Sequence, residues 1–216
     1  MLRGIIFDLD GVLVTTDELH YRAWKQLADE EGIPVSPTLK DDVRGVARMG
    51  ALELTIARSK RSYSKAEKKI LADRKNAYYK DHLTCLTPRD LLPGARAILD
   101  GLKALGLKLA IGSASKNTLT ILEQVGIFSI FDAVIDGNLV TRHKPHPETF
   151  LLAARQLGLD PSECLVGEDA PVGVEAAKRA GMMILAIGSR AAHPTTTQVI
   201  AGLHEITCEQ LRAIYS

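Results

Sequence analysis

Residues 2–12 read LRGIIFDLDGV, an apolar run that leads directly into two aspartates and a glycine. Such a short run of β-branched and aromatic residues predicts a buried strand of a parallel sheet. Ligands of open α/β sheets bind beyond the carboxyl ends of the strands. Residues two apart in an extended chain point to the same side, so we expect Asp8 and Asp10 to face one pocket. A solvated Asp-Gly turn is the alternative.

Two neighbouring carboxylates indicate a particular chemistry. They repel one another, and both stay ionised only where a cation or strong donors lie between them. Mg²⁺ prefers oxygen ligands and would meet this need. The pair therefore indicates phosphoryl transfer, in which one carboxylate attacks the phosphorus atom and the other handles a proton.

The composition is that of an ordinary globular protein. The chain has 216 residues, of which 46% are hydrophobic, and a formal net charge of +1. This length allows a substantial core with a sizeable insertion. The small charge gives no reason to expect nucleic acid or an anionic membrane as a partner. Cys85, Cys164 and Cys208 lack CxxC spacing, so we expect reduced thiols and neither a disulfide framework nor a zinc site.

The sequence has no leader-like stretch and no apolar run of about 20 residues, the length that a membrane-spanning helix needs. We therefore expect a cytoplasmic protein that is neither secreted nor inserted in a membrane. Nothing in the sequence marks an oligomer surface, so we expect a monomer.

The segment from Asp17 to about Leu83 has helical periodicity and no convincing strand. Asp17 is the predicted cap of its first helix, and Ser64 with Glu67 forms a predicted capping box. Three or four helices of this length predict a small bundle inserted after the first strand. We expect a helical cap at residues 16–87 and a core made of residues 1–15 and 88–216.

After Pro93-Gly94 the chain alternates between helices and strands, which predicts an α/β fold with a parallel sheet covered by helices. The final segment predicts a short strand near residues 204–206 and a helix that ends at Tyr215. The predicted elements between them are helix 95–105, strand 107–112, helix 117–125, strand 133–135, helix 147–157, strand 164–167, helix 172–180 and strand 183–187.

Three polar sites follow strands of this second half, where the pocket is expected. The hydroxyl-rich loop 113–117 opens a helix and suits a phosphate, although Ser115 or Asn117 also suits a helix cap. Lys144 follows the strand near residue 134 and reaches the pocket unless it is a solvated surface charge. Glu168-Asp169 supplies oxygen ligands for Mg²⁺, or complements a helix dipole.

These blocks resemble the haloacid dehalogenase superfamily of phosphotransferases, and they occur along the whole core in the order of that superfamily. The resemblance implies a Rossmann-like parallel sheet with an inserted helical cap. It also implies a set of roles: Asp8 as nucleophile, Asp10 as general acid and base, Ser113 and Lys144 as ligands of the transferring phosphoryl group, and Asp8, Asp10, Glu168 and Asp169 as the Mg²⁺ site.

Several stretches narrow the resemblance to the β-phosphoglucomutase family. These stretches are His20 and residues 22–24, 45–48 and 74–76 in the predicted cap, and residues 113–117 in the predicted core. This implies an isomerase that interconverts β-D-glucose 1-phosphate and glucose 6-phosphate through a β-glucose 1,6-bisphosphate intermediate. A bisphosphate needs a second anion site, and the guanidinium of Arg48 suits it. The residues implied to bind the sugar phosphate are His20, Trp24, Gly45, Arg48, Lys75, Ser115, Lys116 and Asn117.

Each cap residue also has a plainer interpretation. His20 suits a partly buried helix position, Arg48 and Lys75 suit a charged surface, and Trp24 suits packing within its helix. Two other rival hypotheses concern the whole protein: a capped phosphatase in which water attacks phospho-Asp8, and a non-catalytic binding protein that retains the fold.

Two positions depart from the mutase pattern. Ala51 stands where a hydroxyl residue is usual, and Thr15 stands where an aspartate is common. Both departures bear on cap closure or substrate preference and leave the phosphoryl chemistry untouched.

Overall fold

The computed structural model describes residues 1–43, 46, 48–188 and 198–215. The chain divides into two compact units. Met1–Thr15 and Thr87–Ser216 form the first, here termed the core unit, and Thr16–Leu86 form the second, termed the cap unit.

The described residues form six strands and nine α-helices. None of these helices is both long enough and apolar enough to cross a bilayer. In chain order they are β1 (Gly4–Phe7), α1 (Asp17–Glu30), α2 (Leu39–Asp42), α3 (Arg48–Ile56), α4 (Lys65–Leu83), α5 (Ala95–Ala104), β2 (Lys108–Gly112), α6 (Thr118–Gln124), β3 (Ala133–Ile135), α7 (Glu148–Leu157), β4 (Cys164–Glu168), α8 (Pro171–Arg179), β5 (Met183–Ile187), β6 (Gln198–Ile200) and α9 (Cys208–Tyr215).

The six strands form one parallel sheet in the order β3-β2-β1-β4-β5-β6, which confirms the predicted α/β fold. The chain builds outward from β1 to β3, then returns to the other side of β1 and builds outward again. The direction therefore reverses between β1 and β4, which are hydrogen-bonded neighbours. In such sheets a crevice opens at the carboxyl ends of the strands where the order reverses. Asp8 follows β1 and Glu168 ends β4, so both lie at this point.

Alternation along β1 explains how the central strand is buried on both faces. All four of its residues are buried. Ile6 joins a hydrophobic cluster with Phe150 of α7, Val166 of β4 and Val174 of α8. Ile5 and Phe7 alternate with Ile6 and so point to the opposite face. A strand covered on both sides in this way needs the continuous apolar run that the sequence contains.

The cap unit buries its own apolar core between its helices. Trp24, Leu27 and Leu52 belong to this core, and α1 packs along α4. The Ser64 capping box is confirmed: the Ser64 hydroxyl accepts from the Glu67 amide, and the Glu67 carboxylate accepts from the Ser64 amide.

The predicted capping role of Asp17 is wrong. Asp17 is the first residue within α1, and the capping position belongs to Thr16. The Thr16 hydroxyl is buried and accepts a hydrogen bond from Tyr79 in α4 at 3.0 Å. Asp17 instead places its negative charge in the first turn, where it favours the positive end of the helix dipole.

The predicted strand near residues 204–206 is also wrong. Leu203–Glu205 form a short 3₁₀ helix, and the sixth strand is Gln198–Ile200, which pairs with β5. Leu203 and Ile206 are buried while His204 and Glu205 are exposed, a spacing of three that suits a 3₁₀ turn better than a strand.

The packing of α5 against α9 offers a test of the core unit. A Cβ atom added at Gly101 would lie 2.5 Å from the Sγ atom of Cys208. We expect Gly101→Ala to lower the free energy of unfolding by about 1–2 kcal/mol, because overpacking exceeds the gain in helix propensity. The double variant with Cys208→Ala should recover at least half of this loss in urea denaturation. A double variant no more stable than Gly101→Ala alone would contradict this contact.

Candidate active site

Asp8 extends the ladder between β1 and β4 by one residue. Its backbone amide donates to the carbonyl of Gly167 at 2.9 Å, which fixes the position of the side chain beside β4. The residue is buried, with 8% of its surface exposed. Within the described part of the chain, its carboxylate receives one hydrogen bond, from Lys144 to Oδ1 at 2.6 Å. The Oδ2 atom is therefore available to a ligand.

Lys144 is a buried cation and not the surface charge of the alternative interpretation. Only 6% of its side chain is exposed. The ammonium donates to Asp8 and, at 2.7 Å, to Oε1 of Glu168, and it lies 4.7 Å from the centre of the Phe150 ring. It thus links the carboxylates that follow β1 and end β4.

Glu168 is held by both of its oxygens. While Oε1 accepts from Lys144, Oε2 accepts from the backbone amides of Asp169 at 2.7 Å and Ala170 at 3.0 Å. These amides lead into α8, so Glu168 also complements the start of this helix. Both interpretations of the acidic pair therefore have a structural basis. A Cβ atom at Gly173 would lie 1.6 Å from Oε1, so the site also requires glycine there.

The charges of the site act on one another. Burial raises the pKa of Asp8 to about 8; Lys144 opposes this increase, and the carboxylates of Glu168 and Asp10 add to it. Burial by itself would lower the pKa of Lys144, but Asp8 and Glu168 outweigh it and the pKa is raised. The ammonium therefore stays charged at neutral pH.

The donor set fits a hard divalent cation. Asp8, Glu168 and Asp169 each present a carboxylate oxygen, and these oxygens lie within 4.8 Å of one another. All three donors are oxygens, as Mg²⁺ prefers, and a cation would relieve their mutual repulsion. The backbone carbonyl of Asp10 as a further ligand stays a prediction.

A tight turn after β1 carries Asp10. Gly11 has a φ of +83°, in the region that glycine tolerates best, and its amide donates to the carbonyl of Val14 at 2.7 Å. Asp10 and Val14 form an isolated parallel bridge. A Cβ atom at Gly11 would lie 2.2 Å from the carboxylate of Asp169. An Asp-Gly turn therefore exists, but the solvated carboxylates of the alternative interpretation do not, because Asp8 is buried. The turn lies against Asp169, the residue that follows β4.

The loop of residues 113–117 follows β2 at the same edge of the sheet. Ser113 is buried, and its hydroxyl accepts from the amide of Ser115 at 3.1 Å. The Ser115 hydroxyl accepts in turn from the amide of Asn117 at 3.2 Å. Asn117 occupies the capping position of α6 without a side-chain cap bond, and Lys116 is exposed. The roles of these residues as phosphate ligands stay predictions.

In the cap unit, Lys75 is buried together with aromatic rings. Its ammonium lies 2.7 Å from Nδ1 of His20, 4.7 Å from the ring centre of Trp24 and 4.8 Å from that of Tyr79. Burial, together with the charge of Arg48, lowers the pKa of Lys75 to about 7. Where Lys75 carries its proton, the ammonium donates to Nδ1 and the neutral imidazole then holds its proton on Nε2.

His20 and Trp24 are both tied into the packing of the cap unit. The His20 ring stacks on Tyr79 at 3.9 Å between ring centres. Burial lowers the pKa of His20 to about 3, and the charges of Lys75 and Arg48 add to this effect. Trp24 is 2% exposed and belongs to the cap core, as the packing interpretation has it. A sugar contact by Trp24 would need its ring to be uncovered.

Arg48 is bound differently from other arginines of the cap unit. It is the first residue of α3, and Nη2 donates to Oδ1 of Asn76 at 2.9 Å. Arg22, Arg61 and Arg74 instead form ion pairs with carboxylates. Within the described residues Arg48 has no carboxylate partner, so its charge is not neutralised. Gly45, the remaining predicted substrate residue, lies outside the described residues.

Sequence reasoning missed several residues that position the site. Thr16 and Tyr79 fix the cap helix that carries His20, and Phe150 lies beside the ammonium of Lys144. Asp136 is a further buried carboxylate at the end of β3. The sequence signal for Asp136 is its position directly after a strand, which it shares with the other polar residues of the site.

The low pKa of His20 predicts how the stability of the cap unit depends on pH. The folded state binds a proton less readily than the unfolded chain, whose histidine has a pKa near 6.5, so stability is lost as the pH falls below that value. Between pH 7 and pH 5, wild type should lose roughly 1–2 kcal/mol relative to His20→Gln, because the imidazole is partly buried.

Urea denaturation followed by the fluorescence of Trp24, the one tryptophan of the chain, measures this difference. The exposed His204 provides a matched control, since His204→Gln should follow the pH dependence of wild type. An equal pH dependence in wild type and His20→Gln would mean that His20 is solvated.

Comparison with known proteins agrees with the fold. A family profile of haloacid dehalogenase-like hydrolases matches residues 2–181. The β-phosphoglucomutase of Bacillus subtilis is 35% identical over 212 residues, which span 97% of this chain and 94% of that protein. The fructose-1-phosphate phosphatase of Escherichia coli is 32% identical over 186 residues, or 83% of this chain and 93% of that protein.

Among solved structures, β-phosphoglucomutase from Clostridium difficile superposes with a TM-score of 0.87 at 33% identity. The match covers 100% of this chain and 97% of that chain. Taken with the carboxylates and the lysine at the reversal point of the sheet, these matches give one conclusion: the chain belongs to the haloacid dehalogenase-like hydrolases.

Proposed function

We propose that this enzyme is a sugar-phosphate mutase that interconverts β-D-glucose 1-phosphate and glucose 6-phosphate. The observation that carries the chemistry is the buried Asp8 carboxylate. Lys144 binds its Oδ1 atom, and no described residue binds its Oδ2 atom. The B. subtilis and C. difficile relatives that match nearly the whole chain support the choice of a mutase.

The reaction divides into two transfers that involve Asp8. In the first, Oδ2 attacks a phosphorus atom of β-glucose 1,6-bisphosphate, the P–O bond to the sugar breaks, and an aspartyl phosphate forms. In the second, a hydroxyl of a glucose monophosphate attacks the aspartyl phosphate and restores the bisphosphate. Lys144 and Ser113 hold the moving phosphoryl group and offset the charge of its oxygens.

Asp10 handles the proton in both transfers. It donates a proton to the sugar oxygen that leaves phosphorus, and it removes one from the hydroxyl that attacks the aspartyl phosphate. Asp8, Asp10, Glu168 and Asp169 are proposed to hold Mg²⁺, which supplies charge neutralisation between the nucleophile and the phosphate.

The second phosphate of the intermediate needs its own site. Arg48 is proposed to bind it because the guanidinium has only the neutral amide of Asn76 as a described partner. Ser115, Lys116 and Asn117 are proposed to assist from the core unit. His20 and Lys75 are proposed to orient the sugar hydroxyls, while Gly45 and Trp24 are kept as secondary contacts.

A phosphatase of small sugar phosphates is the second candidate. The fructose-1-phosphate phosphatase of E. coli favours it, because it is similar to this chain at nearly the same identity. Ala51 is compatible with either activity: it is 2% exposed within α3, so this position packs in the cap core.

One assay separates the two candidates. Enzyme with Mg²⁺, β-glucose 1-phosphate and a trace of the bisphosphate is followed for both glucose 6-phosphate and inorganic phosphate. We expect glucose 6-phosphate to form at least tenfold faster than inorganic phosphate, and Asp8→Asn to abolish both because it lacks the anionic nucleophile. Phosphate release without isomerisation would establish the phosphatase and refute the mutase.

Arg48→Ala tests the second phosphate site. Loss of a charge-assisted contact should lower kcat/KM for isomerisation by roughly 10–100-fold. Hydrolysis of p-nitrophenyl phosphate, which has one phosphate, should change less than about threefold. Arg22→Ala is the matched control, because Arg22 forms an exposed ion pair with Glu18 in the same unit. Equal losses in both reactions would argue against a role for Arg48 at the second phosphate.

A further inference from the structure

The pairing between β2 and β3 continues beyond the ends of both strands. The amide of Ser113 donates to the carbonyl of Ile135 at 2.9 Å, and the amide of Gly137 donates to the carbonyl of Ser115 at 3.0 Å. The segment 136–138 therefore runs alongside the loop 113–117. Ser113 is held by backbone close to the strands, whereas the carbonyls of Ser115 and Lys116 also accept hydrogen bonds from Gly137 and Asn138.

Asn138 makes the next connection with its side chain. Its Nδ2 atom donates both to the carbonyl of Lys116, at 3.0 Å, and to Oδ2 of Asp136, at 2.8 Å. The backbone amide of Asn138 donates to Oδ1 of Asp136 at 2.8 Å. Asp136 is 5% exposed, so a buried carboxylate fixes the amide that binds the loop. One side-chain amide thus uses both of its hydrogens to join Lys116 to the end of β3.

Gly137 explains why the two segments approach so closely. A Cβ atom at this position would lie 2.3 Å from the carbonyl oxygen of Ala114. Any larger residue must therefore push the loop away. Bonds within the loop hold Ser115, through its amide to the Ser113 hydroxyl and through its carbonyl to the Thr118 hydroxyl. The carbonyl of Lys116 is instead held from outside the loop by Asn138, which lies outside the four sequence blocks of the superfamily.

We propose that Asn138 is a positioning residue that sets the specificity of the enzyme for a substrate with a second phosphate. It does so by holding Ser115 and Lys116 in place, while Ser113 keeps its place through the strand backbone. This inference rests on the proposed function, which assigns the second phosphate to these loop residues. Because a small misplacement of a binding group strongly affects catalysis, one bridging amide is sufficient for this role.

Kinetics of Asn138→Ala provide the first test. The KM for β-glucose 1,6-bisphosphate should rise by roughly 5–20-fold, because the loop loses its side-chain anchor. Hydrolysis of p-nitrophenyl phosphate should stay within about twofold of wild type, since Ser113 is unaffected. Asn138→Asp should behave like Asn138→Ala, because it keeps the shape but loses the two Nδ2 donations. A wild-type KM in Asn138→Asp would mean that shape alone matters and would overturn the proposal.

Asp160→Ala is the matched structural control. Asp160 binds the amide and hydroxyl of Ser162 in a similar local turn, but this turn precedes β4 and so lies at the opposite edge of the sheet from the site. The control should lose a comparable amount of stability in thermal denaturation and keep the wild-type KM. A rise in KM in this variant would show that general destabilisation accounts for the effect.

Hydrogen exchange measured by NMR gives a readout that needs no substrate. In Asn138→Ala the amide of Gly137, which binds Ser115, should exchange at least fivefold faster, while the amide of Ser113 keeps its rate. Unchanged exchange at Gly137, or equal losses in both enzymatic reactions, overturns the positioning role. A wild-type enzyme that does not isomerise β-glucose 1-phosphate overturns the proposed function instead, so the two failures are distinguishable.

Discussion

The ammonium of Lys144, bound between the carboxylates of Asp8 and Glu168, is the interaction on which the site depends. All three side chains are nearly removed from solvent. Removing one partner from such a group leaves an uncompensated buried charge, which is strongly destabilising. The parallel sheet makes the arrangement possible because β1 and β4 are neighbours whose connections leave in opposite directions. The same reversal that orders the strands therefore creates both the crevice and its charges.

The two units differ in the sign of the charge that their buried or unpaired groups present. In the core unit, Asp8 and Glu168 bind one lysine and Asp169 adds a third carboxylate nearby, so the group suits a further cation. In the cap unit, Arg48 has a neutral described partner, the amide of Asn76, so its charge is available to an anion. The charges of the core unit thus suit a metal ion, and the charge of Arg48 in the cap unit suits an anion.

Much of the core unit was predictable because its signals are local. The apolar run before Asp8 and the alternating helices and strands led to the parallel sheet, and the polar residues at strand ends led to Lys144 and Glu168. The sequence predicts the sixth strand near residues 204–206, but it lies at residues 198–200. Both segments have only about three residues, and hydrophobicity alone does not distinguish so short a strand from a 3₁₀ turn. The Thr16 hydroxyl makes no cap bond to α1 and instead accepts from Tyr79, which lies far along the chain. Contacts of this kind have no signature in local sequence.

The glycine of the first block has a consequence for how such an enzyme is altered or transplanted. Gly11 tolerates no side chain, partly because of its own backbone and partly because the carboxylate of Asp169 occupies the adjacent space. The turn after β1 and the acidic pair at the end of β4 therefore pack directly against each other, although most of the chain separates them in sequence. A designer who moves the aspartate turn into another scaffold must therefore also move β4 with Glu168 and Asp169. Without them the turn loses the side chain against which it packs.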